Sequence, residues 1–398
     1  MRNIIGTPVE GEDFFDRPQI VANLLSELRD NQANILLIAP RRVGKTSLIK
    51  RVCEEWRKEQ QSKAIYLNIE GGSDELAFAD NLIDKLMRSN LYPEIMTLAN
   101  SIIKNAQKLI GLKSIKYEGL EVDLGEASKD DLRTLGKVLE SVFRKIDEGN
   151  DHVLIALDEV PELLLTLMRS DEIAGPKRVV AFLHWLRAMR QTYRHKIRWV
   201  FLGSIGLDNF ASNHNIHYLI NDFQIFSLDA FTPEEADEFL QKLGESYKGE
   251  ITIDSADRTE IIRRVGWPLA YHLHLIFKEL LYSKTLSVNE AFDSLLKPQY
   301  QLYFKPWSER IVAQFSKPDA EACNTILSHA CQDPDGCDRR QFLAVLTTKP
   351  TADVKIIEEQ ILRLLNDLER DGYLIQKDSR YAFRSFLLRE YWKRNHIL

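Results

Sequence analysis

Short apolar runs alternate with longer amphipathic stretches through residues 1–230 of the chain. The apolar runs predict five buried strands, at residues Ile35–Ile38, Ala64–Ile69, His152–Leu157, Ile197–Leu202 and Phe223–Leu228. The stretches between them carry apolar residues at helical spacing, as in Arg17–Leu28. Strands that alternate with helices form a parallel sheet covered by helices on both faces. We therefore predict an α/β core for this region.

The region that follows has no such alternation. The sequence Thr232-Pro233-Glu234-Glu235 is typical of a helix start, with a capping threonine, a proline in the first turn and two acids. Near the C-terminus, three helical stretches precede two short strands, Gly372–Gln376 and Tyr381–Phe383, which is the winged-helix order. We predict an all-α lid domain at 231–305 and a C-terminal winged-helix domain at 306–398.

An insertion in the core is predicted at about residues 88–130. Its first part has a helical pattern, and Ile115–Leu124 alternates around a glycine as an extended hairpin does. Two interpretations are open, a surface elaboration without chemistry and an element that contacts a partner or acts as a lid.

Composition indicates an ordinary globular protein, with 44% apolar and 28% charged residues and a net charge of −6. That charge does not indicate nucleic acid binding, although a local basic patch stays open. We expect no signal peptide and no membrane association, because the N-terminus is polar and apolar runs are short. The four cysteines form no CxxC pair, which favours a cytoplasmic location over a disulfide scaffold or a zinc module.

A phosphate-binding loop lies between the first predicted strand and the helix after it. It has the pattern A-x-x-x-x-G-K-T, in which Lys45 would reach the β- and γ-phosphates and Thr46 would ligate Mg²⁺. Its backbone N–H groups, at the positive end of a helix dipole, suit a triphosphate. The predicted ATP-binding residues here are Ala39, Pro40, Arg41, Arg42, Val43, Gly44, Lys45, Thr46 and Ser47.

An acid pair ends the third predicted strand, where ligands bind in open α/β sheets. Asp158 would hold Mg²⁺ and Glu159 would polarise or orient the attacking water. The alternative is a solvated strand end. Ser204 follows the fourth strand and is a candidate for contact with the γ-phosphate or the water, the alternative being a turn serine. Glu159, Lys45 and Ser204 are therefore the predicted catalytic residues.

Together these motifs resemble the AAA+ superfamily of P-loop ATPases, in its STAND-like branch of archaeal-type ATPases. Further matching segments are Phe14–Arg17, Phe182–Arg187, Gly203–Gly206, Gly266–Pro268, Asp371–Leu374 and Tyr381–Ser385. The resemblance implies an ATPase core with ATP and Mg²⁺, a helical lid and a winged helix. It also implies that Phe15 and Arg17 border the adenine, and that Pro268 brings the lid onto the nucleotide.

The segment from Trp199 to Leu240 contains no lysine or arginine. Ring-forming AAA+ proteins usually place there the arginine that reaches a neighbour's site, so slow turnover is expected. Arg41, Arg42, Arg263 and Arg264 are candidate internal substitutes, and for the last two a solvated helix charge is the alternative.

These observations favour an ATP-hydrolysing regulatory switch that binds ATP and ADP and responds to an unidentified protein partner. One alternative is a DNA-associated ATPase that binds duplex DNA through Lys377, Arg380, Arg384 and Arg389 near the predicted wing. Another is a scaffold that holds nucleotide without turnover. Self-assembly is open under each hypothesis.

Overall fold

The computed structural model describes residues 1–15, 17–72, 74–88, 129–203, 206–283, 286–347 and 354–396. The chain divides into two compact units. The first, here called the α/β unit, comprises Arg17–Ile38 and Lys45–Ser227. The second, the helical unit, comprises Met1–Asp16, Ala39–Gly44 and Leu228–Leu398.

Five parallel strands form the sheet of the α/β unit, in the order β2-β3-β4-β1-β5. They are β1 (Asn34–Ile38), β2 (Ser62–Asn68), β3 (His152–Asp158), β4 (Ile197–Leu202) and β5 (Phe223–Ser227). Residues 153–157 of β3 are completely buried, because helices cover a parallel sheet on both faces. The predicted parallel α/β core is confirmed.

Seven described helices accompany this sheet: α1 (Pro18–Arg29), α2 (Lys45–Arg57), α3 (Glu75–Arg88), α4 (Lys129–Glu148), α5 (Val160–Ser170), α6 (Ala174–Thr192) and α7 (Leu207–Asn213). A continuous apolar core joins strand and helix residues, from Leu36 through Phe143 and Phe182 to Trp199. Most of the predicted insertion, residues 89–128, lies outside the described residues.

The helical unit begins its long C-terminal part with α8 (Pro233–Ser246), α9 (Ser255–Val265), α10 (Ala270–Tyr282), α11 (Val288–Leu295) and α12 (Lys305–Gln314). Thr232 caps α8 in a reciprocal capping box with Glu235, so the predicted helix start is present. The boundaries predicted for lid and winged helix stay a prediction.

The last part of the chain contains α13 (Lys317–Ala330), β6 (Cys337–Asp338), α14 (Arg339–Leu346), α15 (Val354–Arg370), β7 (Leu374–Lys377), β8 (Arg380–Phe383) and α16 (Phe386–Asn395). The three strands form an antiparallel sheet in the order β6-β8-β7. Three helices and a closing hairpin follow the order expected of a winged helix. Within the helical unit, the buried ring of Tyr373 meets the rings of Trp307 and Trp392 edge to face.

None of the helices in the described part of the chain combines the length and the apolar character needed to cross a membrane.

Candidate functional site

The carboxylate of Asp158 is the centre of a polar cluster in the α/β unit. It ends β3 with only 2% of its surface exposed. The Thr46 hydroxyl donates a hydrogen bond of 2.7 Å to Asp158 Oδ2, across a separation of 112 residues in the chain. The structure therefore brings together the two residues that the sequence predicts as Mg²⁺ ligands.

Tyr66 belongs to the same cluster, although the sequence analysis did not identify it. Its hydroxyl donates to the same atom, Asp158 Oδ2, at 2.8 Å. Burial raises the pKa of Tyr66, and the negative charge of Asp158 raises it further, so the phenol stays protonated and acts as a donor. The available signal was a polar-tipped ring between the apolar residues Ile65 and Leu67 of β2.

Glu159 follows with a left-handed backbone, at φ 62° and ψ 34°. Only a few per cent of non-glycine residues adopt this region, and its cost is about 1 kcal/mol. Its N–H donates to Asp158 Oδ1 at 3.0 Å, which ties the turn to the carboxylate. Helix α5 begins directly afterwards, with Pro161 in its first turn. The predicted role of Glu159 in orienting water stays a prediction.

Lys45 and Ser47 lie in the first turn of α2, and both are buried. The N-terminus of this 13-residue helix carries a partial positive charge, and its backbone N–H groups point outward from that end. These groups fit phosphate, and the hydroxyl of Thr46 with the carboxylate of Asp158 supplies the oxygen donors that Mg²⁺ prefers. The residues present therefore fit both predicted groups.

The preceding part of the loop, Ala39–Gly44, groups with the helical unit. The Arg42 guanidinium lies 4.6 Å from the ring centroid of Tyr271, and its Nη1 donates to the carbonyl of Gly6 at 3.2 Å. Arg41 Nη1 donates to the carbonyl of Pro306 at 3.4 Å. Both arginines are thus held by contacts within this unit. Gly44 has φ 103°, a conformation that side chains rarely adopt.

The residues expected near adenine fall in different units. Phe15 packs edge to face against Phe231 and Phe239 in the helical unit. The carbonyl of Pro268 in that unit accepts a 3.2 Å hydrogen bond from the N–H of Phe231. Arg17 stands at the N-cap of α1 in the α/β unit. Their predicted contact with adenine stays a prediction.

Comparison with known proteins identifies solved structures that share this fold. No protein-family model and no curated protein matches the sequence. Two solved structures are similar over nearly the whole chain. One is the Walker-type ATPase of Pyrococcus abyssi, with TM-score 0.63, 15% identity and coverage of 98% of this chain and 99% of that one. The other is the ORC2 protein of Aeropyrum pernix in ADPNP–ADP complexes, with TM-score 0.54, 15% identity and coverage of 98% and 94%. The chain has the fold of archaeal-type AAA+ P-loop ATPases.

Arg263 and Arg264, the two arginines in the predicted lid, are engaged in local contacts. Arg263 pairs with Glu260 on α9 at 2.6 Å. The Arg264 guanidinium lies 4.7 Å from the ring centroid of Phe292 and 3.3 Å from Asp293. Ser204, the other predicted catalytic residue, lies outside the described residues.

Proposed function

We propose that this protein binds ATP together with Mg²⁺, hydrolyses it slowly and acts as a nucleotide-dependent regulatory switch. The observation that carries the proposal is the hydrogen bond between Thr46 and Asp158 at the end of β3. It joins a phosphate-loop residue to a strand-end carboxylate in a five-stranded parallel sheet. The ORC2 structure, which has a similar fold, holds ADPNP and ADP, and this supports nucleotide binding here.

Each residue has a distinct task in this proposal. Lys45 and the N-terminal N–H groups of α2 bind phosphate. The Thr46 hydroxyl donates its hydrogen bond to Asp158, so its lone pairs would remain available to Mg²⁺, which Asp158 would help to hold. Bound Mg²⁺ supplies positive charge that neutralises the phosphates. Glu159 orients a water molecule and accepts a proton from it.

Slow turnover follows from the distribution of arginines. The segment between Trp199 and Leu240 contains no arginine or lysine, and Arg41, Arg42 and Arg264 are held in contacts of their own. An arginine supplied to the transition state contributes about 10³-fold or more in related ATPases and GTPases. A protein without this contribution remains in its ATP-bound form for long periods, which suits a switch.

Glu159→Gln tests the hydrolytic part of the proposal. We expect phosphate release to fall about 100-fold or more, because the amide cannot accept the proton, while ATP binding is retained. Phosphate release and the Kd of a fluorescent ATP analogue are the measurements. Glu162→Gln, in the first turn of α5, is the matched control and should turn over at the wild-type rate.

The same pair of measurements separates a switch from a scaffold. If the wild-type protein binds ATP but releases no phosphate, the hydrolytic assignment is wrong and a scaffold that holds nucleotide is the better description.

A further inference from the structure

We propose that Tyr66 is a positioning residue for the Mg²⁺ site, acting through Asp158 to favour Mg²⁺ over larger divalent cations. The inference rests on the proposed function, since it concerns the same carboxylate. It adds a residue and a property, metal selectivity, to that site.

The first argument is the number of donors on one oxygen atom. The Thr46 and Tyr66 hydroxyls both donate to Asp158 Oδ2, at 2.7 and 2.8 Å. A carboxylate oxygen has about two acceptor positions, so these two donors fill Oδ2. Among the residues that the structure describes, Oδ1 accepts only the N–H of Glu159, which leaves one of its two acceptor positions. A metal-bound water would therefore be accepted at Oδ1, and a cation would not be able to bind both oxygens of Asp158 together.

The second argument is the rigidity of the tyrosine. Tyr66 lies within β2 between the buried residues Ile65 and Leu67. Strand β2 pairs with β3 without interruption from Ser62–His152 to Asn68–Asp158. The hydroxyl is thus fixed relative to Asp158 by seven consecutive residue pairs and by a ring with two rotatable bonds.

These two arguments lead to selectivity because divalent cations differ in how they bind carboxylates. Mg²⁺ is small, keeps several of its waters and tolerates a carboxylate that contacts it through one position. Ca²⁺ is larger and often binds both oxygens of a carboxylate. A hydroxyl that fills Oδ2 therefore disfavours Ca²⁺, while Oδ1 remains suited to the hydrated Mg²⁺ ion.

The test compares wild type, Tyr66→Phe and a matched control, Tyr193→Phe. Tyr193 lies in the same unit, is buried, and donates its hydroxyl to the carbonyl of Glu140 at 3.1 Å. Each variant loses one phenolic hydrogen bond, but only Tyr66 contacts Asp158. The readout is the Kd of a fluorescent ATP analogue, titrated with Mg²⁺ or Ca²⁺ and measured again without metal.

We expect Tyr66→Phe to need about five- to tenfold more Mg²⁺ for half of the metal-dependent change in Kd. Its preference for Mg²⁺ over Ca²⁺ should fall by about the same factor. Its Kd without metal should be that of wild type, and Tyr193→Phe should match wild type throughout.

Two results would overturn the inference: an unchanged metal titration for Tyr66→Phe, or an equal change in both variants, which would reflect a general effect on folding. Failure of the proposed function looks different. In that case the wild-type protein itself shows no nucleotide binding, or a Kd that does not depend on Mg²⁺.

Discussion

Polar side chains are used differently at the end of β3 and at the C-terminal hairpin of β7 and β8. At the end of β3, two hydroxyls and a backbone N–H converge on one buried carboxylate, that of Asp158. At the hairpin, each arginine pairs with an acid of its own. Arg380 lies 2.8 Å from Asp333, and Arg384 lies 3.0 Å from Asp229.

The difference helps to separate a functional cluster from a structural one. Burying the Asp158 carboxylate carries a desolvation cost, and an apolar residue would end the strand equally well. Such an arrangement is typical of a site that binds something. Exposed ion pairs, in contrast, contribute about 0–1 kcal/mol and follow from a chain rich in both charges.

The polar groups around the buried Trp267 of the helical unit take part in packing instead. Trp267 Nε1 donates to Asp229 Oδ1 at 3.1 Å, and the Arg384 guanidinium lies 4.7 Å from the ring centroid of Trp267. Gly372 approaches the same ring closely. Substitutions at the end of β3 should therefore change turnover, whereas those around Trp267 should change stability.

Asp158→Asn should have the largest effect. We expect turnover to fall about 10³-fold, because the amide carries no charge for Mg²⁺ and accepts through only one oxygen. Phosphate release is the measurement. The control is Asp222→Asn, which removes the partner of the buried Arg190 at 2.8 Å. It should lower the free energy of unfolding by about 2 kcal/mol without altering Mg²⁺ dependence. Wild-type turnover in Asp158→Asn would contradict the distinction between a functional cluster at the end of β3 and structural contacts elsewhere.

Acid should destabilise the helical unit through His272. Complete burial lowers the pKa of His272 to about 4, so its neutral form is favoured in the folded state. The contribution of neutral His272 to the free energy of unfolding is therefore fully present above pH 6.5. About 3 kcal/mol of it is lost as the pH falls towards 4. Denaturant unfolding at several pH values measures it. His272→Gln should show a smaller slope, though not zero, since burial also lowers the pKa of His274 to about 4. Equal slopes would refute this prediction.

Gly372→Ala should destabilise by about 2 kcal/mol or more, because φ is +85° and the added Cβ would lie 2.4 Å from Trp267 Cη2. Gly244→Ala is the matched control, since its Cβ meets nothing within 4 Å inside α8. That change should stabilise by up to about 1 kcal/mol. Denaturant unfolding distinguishes them, and similar values for both would show that packing at Trp267 tolerates the change.

Arg380→Ala should have the smallest effect. Its charge is already paired with Asp333, so the free energy of unfolding should change by less than about 1 kcal/mol. Affinity for duplex DNA should change less than about threefold, with little dependence on salt. A steep salt dependence in wild type that is reduced in Arg380→Ala would instead favour the DNA-associated hypothesis.

Periodicity predicted the sheet, and motif spacing selected Thr46 and Asp158 as Mg²⁺ ligands, which the structure places within hydrogen-bond distance of each other. Strand ends differ by one or two residues, as for Ala64–Ile69, which the structure places at Ser62–Asn68. Tyr66 was not identified because tyrosine is an ordinary strand residue. Its contact with Asp158 depends on β2 and β3 being neighbours, and strand order cannot be read from hydrophobic spacing.

Which segments of the chain come together in the helical unit was not predictable in the same way. Asn3 donates its backbone N–H to the hydroxyl of Tyr247 and its side-chain amide to the carbonyl of His274. Local patterns report neighbours within a few turns of chain, so they contain no signal for contacts between segments this distant.

The wide separation of these segments has a consequence for biosynthesis. Asn3 and Tyr247 are 244 residues apart, so a ribosome that makes some 5–20 residues per second completes the second segment long after the first has emerged. Until Phe231 and Phe239 have been synthesised, the side chain of Phe15 lacks these two packing partners and is accessible to chaperones and to other nascent chains. A truncated chain that ends before Phe231 would keep this aromatic side chain exposed, and we expect it to aggregate.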